Sequence, residues 1–165
     1  MSLHALVIGI NDYKSTEVPN LLGAVADADA FSNYLMSHLN VPRSQITDLR
    51  NAEATRNNII SRIRDLGTKN DDHIKFGDPI LIFYAGHGAS GRAPTGWEAG
   101  NNKVQFIVPY DCRVNVWGSK VRAIPDRTLG ALLRQLADVK GDNVVRSFFV
   151  SFSTFFYLGE PDSHF

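Results

Sequence analysis

The sequence predicts an α/β domain built on a mostly parallel sheet, and three observations carry that reading. Residues 3–10 (LHALVIGI) and 79–85 (PILIFYA) are short, nearly continuous apolar runs, as expected of strands buried on both faces. Segments with helical apolar spacing alternate with such runs along the chain. The length, 165 residues, suits one domain and not two.

The elements follow in order. The first strand ends at Gly9 and the turn-like Asn11-Asp12. Residues 21–39 place Ala24, Ala28, Phe31 and Leu35 on one stripe, which predicts a helix stopping near Asn40. Residues 45–50 read as a short edge strand. Thr55 is a good N-cap for a helix with Ile59, Ile63 and Leu66 on one face and Gly67 at its end. Residues 69–77 are polar and loop-like. After the second apolar run, residues 89–103 are rich in Gly, Pro and Asn and predict a long mobile loop. A strand over 104–108 follows, then a helix capped by Asp126 in which Leu129, Leu132, Leu133 and Leu136 keep the i, i+3, i+4, i+7 rule. The next strand is expected over 143–150.

The end of the chain is unlike the rest. Residues 147–157 (SFFVSFSTFFY) interleave Phe with Ser and Thr at neither helical nor alternating spacing, a composition that invites aggregation. The reading is a domain over 1–143 and an atypical Phe/Ser-rich tail over 144–165.

Composition excludes several functions. Lys+Arg and Asp+Glu are both 17, so there is no basic excess for nucleic acid or an anionic membrane. A 44% apolar content is too high for a disordered chain. The single cysteine, Cys112, cannot form an internal disulfide and points to a reducing, cytoplasmic setting. No basic n-region precedes the first apolar run, and no apolar stretch reaches the roughly 20 residues of a membrane span.

In open parallel sheets, sites form beyond the carboxyl ends of the strands. Residues 84–88 (YAGHG) leave the strongest strand, residues 9–12 leave the first, and Asp27 opens the following helix. His87, between two glycines, is expected to have little side-chain cover, and Gly88 would let the backbone approach a ligand. A histidine there suits general acid–base work near neutral pH, or simply hydrogen-bonds to the scaffold.

These residues resemble a known family. FYAGHG at 83–88 is similar to the histidine motif of caspase-like cysteine peptidases. ALVIGINDY at 5–13 with LLGAVADA at 21–28 resembles the first strand and helix of metacaspases and their fungal relatives. The resemblance covers about residues 3–143, with the elements in the expected order. It implies a three-layer α/β/α sandwich and a Cys–His dyad, in which a thiolate attacks the peptide carbonyl and backbone N–H groups hold the oxyanion. His87 then matches the dyad histidine, and Gly88 the residue whose N–H helps hold the oxyanion. Asp27 matches the acid lining a pocket for a basic P1 side chain, although helix-start carboxylates are also favoured by the macrodipole. Ala24 and Ala85 stand where metacaspases often have Cys and Ser. Peptide or protein substrates are the implied partners. Metacaspases are often calcium-activated, but no calcium ligands can be assigned, and no cofactor or metal is expected.

One departure matters most. In caspase-like enzymes the nucleophile follows the next core strand, about 50 residues after the histidine. Here VVRSFFVSFSTFFYLGEPDSHF (144–165) holds no Cys. The resemblance therefore implies a domain cut short before its nucleophile and inactive in this form, or a non-catalytic homologue acting as a binding module. Cys112 follows a different strand and reads better as a small buried hydrophobe than as a nucleophile. Asp111 is either structural or metal-facing. His4 is expected in the core or at an edge, His38 near a helix C-terminus, and His73 and His164 in solvent; no pair has zinc-ligand spacing. Gly9 and Asn11 do not make a dinucleotide fingerprint. Trp97 and Trp117 are expected to pack against neighbouring loops.

Overall fold

The structure, a computed structural model, describes residues 2–68, 73–93 and 103–158, the last ten of these by backbone alone. Four strands run parallel: β1 (His4–Gly9), β2 (Ile46–Arg50), β3 (Ile80–Arg92) and β8 (Val144–Leu158). β1 pairs with β2 on one side and β3 on the other, while β8 runs along β3 from Ile80↔Val144 to Gly88↔Phe152. Two further strands, β4 (Lys103–Ile107) and β7 (Ile124–Pro125), extend the sheet antiparallel from the distal half of β3. Between them lies a small hairpin, β5 (Asn115–Val116) and β6 (Ser119–Lys120).

The helices cover both faces, and the pleat explains how. Ala5, Val7, Phe83 and Ala85 point to one side, where α1 (Ala24–Ser37) buries Ala24, Ala28 and Leu35 against them. Leu6, Ile8, Ile80, Ile82 and Tyr84 point to the other. There they meet Ile59 and Ile63 of α2 (Arg56–Leu66), with Leu129, Leu132 and Leu136 of α3 (Asp126–Lys140). This is the expected three-layer sandwich. The central strands are apolar on both sides because both sides are roofed.

Caps decide the helix limits. The Thr55 hydroxyl accepts from the Asn58 N–H at 3.2 Å, and Asp111 Oδ1 accepts from the Arg56 N–H at 2.8 Å. Asp111 is thereby a structural carboxylate. Asp126 is the first residue of α3 and not its cap; Pro125, in extended conformation, holds that position. His38 caps the C-terminus of α1.

Two sequence expectations are corrected, the end of β3 with the loop after it and the packing of Trp117. β3 does not end at Ala85 but continues through Arg92, because β4 supplies a ladder partner for Gly88–Arg92. The loop expected over 89–103 is therefore strand at both described ends, and its middle, with Trp97, lies outside the described residues. Trp117 does not pack on neighbouring loops: it sits at the tip of the β5–β6 hairpin with its side chain fully exposed. The strand expected over 143–150 is present as β8, whose pairing with β3 runs on past residue 148. Among the described residues no helix is long and apolar enough to cross a membrane.

Gly9 sets the spacing between β1 and α1. A Cβ there would stand 2.6 Å from Ala28 Cβ and 3.0 Å from the Ala24 carbonyl oxygen, neither of which can swing aside. Gly9→Ala should therefore push α1 off the sheet and cost about 1–3 kcal/mol. The expected drop in melting temperature is roughly 3–10 °C, measured by circular dichroism on the purified variant.

Candidate active site

The site is assembled by the segment over residues 10–23 that leaves β1. Asparagines and one aspartate shape it. Asn51, in the left-handed region at φ 42°, accepts from the Asn11 and Asp12 N–H groups at 2.9 and 3.1 Å. Its amide donates to Asp12 Oδ2 at 3.0 Å. Asn11 Oδ1 accepts from the Val25 N–H at 3.1 Å, satisfying a first-turn donor of α1 from fourteen residues away. Asn20 Oδ1 accepts from the Tyr13 N–H at 2.9 Å. Glu17 ties the same segment to the β5–β6 region, accepting from Arg113 Nη1 and Lys120 Nζ, both at 2.7 Å. Hydrogen bonds from these two cations hold its carboxyl below the usual carboxylate range.

What the segment holds is His87. The histidine lies inside β3 and is 2% exposed, so the expectation of a lightly covered strand-end residue is corrected. Tyr13 covers it, with ring centroids 5.0 Å apart. His87 Nε2 stands 2.8 Å from the Pro19 carbonyl oxygen. A carbonyl only accepts, so Nε2 donates this hydrogen bond and carries a proton. With Nε2 held by Pro19, Nδ1 is the ring nitrogen through which proton transfer would run.

The backbone of His87 is held as closely as its ring. Its N–H donates to the Tyr13 hydroxyl at 2.8 Å. Its carbonyl accepts from the Val108 N–H at 3.0 Å and the Tyr84 hydroxyl at 3.0 Å, the latter also lying 2.9 Å from the Val108 carbonyl. Gly86 makes room for this: a Cβ there would lie 2.6 Å from the Tyr84 hydroxyl and 3.1 Å from that of Tyr13. The glycine before the histidine thus serves two phenols. Burial pushes the Tyr13 hydroxyl up to about 12 and that of Tyr84 well above its usual range, so both stay protonated at neutral pH.

The other expected site residues are dispersed. Gly88 stands between Ile107 of β4 and Phe152 of β8 in the sheet. Asp27 is exposed in the first turn of α1, next to buried Ala28, and makes no side-chain hydrogen bond or ion pair among the described residues. Its neighbour Asp29 pairs with Arg50 at 2.9 Å. Cys112 is 1% exposed, and burial pushes its thiol up to about 11. It is a protonated core residue and no thiolate. Iodoacetamide at pH 7.5 should therefore leave Cys112 unmodified in the folded chain and label it fully in 6 M guanidinium, as intact mass would report.

Tyr13, Pro19 and Tyr84 were not singled out by sequence, although Tyr13 and Tyr84 both lie within the two motifs. The signal was there in the pairing of GINDY with FYAGHG: the tyrosine of each touches the histidine of the second.

No curated protein sequence matches. Among solved structures, protein GSU0716 from Geobacter sulfurreducens superposes with a TM-score of 0.65 at 19% identity, over 92% of this chain and 50% of that one. The fold is shared, and this chain spans about half the length of that relative. A family model described as caspase domain matches residues 2–148, a stretch that runs from β1 through His87 into β8. With that match covering nearly all of the sandwich, the chain belongs to the caspase-domain family.

Proposed function

We propose that this domain binds polypeptides as a cysteine-peptidase module, with His87 as the acid–base residue and the Gly88 N–H as an oxyanion donor. The observation that carries the reading is the His87 ring itself. Its Nε2–H is fixed on the Pro19 carbonyl, the arrangement in which Nδ1 can receive a proton from a thiol. Asp27 confers a preference for a basic P1 side chain, supported by its exposed position at the start of α1. The test is calorimetry with a pair of peptides that differ only by Arg or citrulline. The Arg peptide is expected to bind at least fivefold more tightly, and Asp27→Asn to erase that difference. Equal affinities for wild type would overturn the basic preference.

A second reading, a non-catalytic caspase homologue that binds or regulates, is favoured by one observation. The chain's single thiol is buried and protonated. Under it, peptide binding persists and turnover does not follow.

A further inference from the structure

We propose that Tyr13 is a positioning residue for His87. Its hydroxyl takes the His87 N–H and its ring braces the imidazole, so that the Nε2–H stays on Pro19 and one tautomer prevails. The proposal rests on His87 being the acid–base residue and goes beyond it by naming what sets the direction of the ring.

Three observations converge. A strand residue ordinarily has its N–H and C=O satisfied by neighbouring strands, yet the His87 N–H goes to a phenol brought in from residue 13. The His87 carbonyl receives a second phenol, Tyr84, in addition to the Val108 N–H. Both hydroxyls press on Gly86, where any side chain would displace them. Hydroxyl contacts thus bracket His87 from its N–H to its carbonyl. Packing alone would need only the ring of residue 13, and Phe would supply that. The hydroxyl is the part that calls for a purpose, because it is buried and reaches a buried amide. Tyr13 also shares its segment with Pro19, and the Asn20 side chain anchors the Tyr13 N–H. Removing the Tyr13 hydroxyl therefore reaches the ring through the His87 amide.

The test is nitrogen-15 NMR of the imidazole in the full 165-residue chain, comparing wild type with Tyr13→Phe. Wild type should show two well-separated ring nitrogens, one protonated at Nε2. Tyr13→Phe keeps the ring and loses the hydroxyl. Its two His87 nitrogens should move toward each other as tautomers mix, and the His87 amide should exchange at least tenfold faster. Amides remote from the site, such as those of α2, should keep their shifts and report that the fold is intact. Unchanged ring nitrogens together with an unchanged amide would overturn the proposal. If Tyr13→Phe does not fold, 3-fluorotyrosine incorporated into the wild-type sequence replaces it. The fluorinated hydroxyl is a weaker acceptor, so the His87 amide proton should move upfield, and its staying in place would overturn the proposal. Neither measurement depends on turnover. Failure of the peptidase reading would leave the NMR result standing, and a null NMR result would leave the peptide-binding test standing.

Discussion

Given an Arg-P1 fluorogenic peptide, with or without calcium, the purified 165-residue chain should release no fluorophore above the blank. An acid–base histidine has no substrate proton to move unless a thiol stands within hydrogen-bond reach. The one thiol present is 1% exposed, and burial raises it to about 11. At neutral pH its thiolate fraction is on the order of 10⁻⁴. Removing the nucleophile from a unit of this kind typically lowers the rate by about 10⁶. The informative comparison is Cys112→Ala. Turnover in wild type that disappears in this variant would make Cys112 the nucleophile and overturn the prediction. Turnover that survives in it would have to come from chemistry at His87 that does not use this thiol.

The second large effect is alkaline unfolding. Burial raises the Cys112 thiol from 9.0 to about 11 and the Tyr13 hydroxyl from 10.0 to about 12; Tyr84 moves the same way. In each case the folded chain keeps a proton that the unfolded chain gives up. The stability is therefore fully present below the unfolded value and is lost as pH rises through the folded one. Between pH 9 and 11 Cys112 alone should remove about 2 kcal/mol of the roughly 2.7 kcal/mol that a two-unit shift is worth, and the two tyrosines add to the loss above pH 10. Urea unfolding at pH 7, 9, 10 and 11 reads this directly. Cys112→Ala should flatten the step between pH 9 and 11 while leaving the later tyrosine step. A wild-type curve that stays level to pH 11 would contradict the burial of these groups.

How much of this was legible in the sequence depended on whether a feature is local. α2 could be read almost to the residue, because Thr55, the isoleucine stripe and Gly67 all lie within thirteen positions and act on one another directly. The same holds for the start of β1, β2 and the face of α1. β3 could be read only as far as Ala85. Its continuation through Gly86-His87-Gly88 contradicts local strand propensity and exists because β4 and β8 supply ladder partners from far along the chain. That pairing also turned an expected loop histidine into a buried one. The candidate site divides in the same way. His87 is visible because its motif is contiguous, whereas the contacts of Tyr13 and Pro19 with it are tertiary and leave no periodic trace. Asp111 was ambiguous from sequence alone and became a helix cap only once α2 was seen against it.

The central position of β3 has a consequence for how the chain is made. Of these strands β1 leaves the ribosome before the others, and its partner on one side is β2, at Ile46–Arg50. Its other partner begins at Ile80. At bacterial to eukaryotic elongation rates, that edge waits roughly 4–15 s for its neighbour to be synthesised. During that interval an apolar strand meant to be roofed on both faces has an open backbone edge, the kind of surface that nascent-chain chaperones cover. β3 then waits in turn for Val144. A chain of this order is expected to acquire its sandwich late and nearly all at once, with the greatest risk of misassembly concentrated before residue 80 emerges.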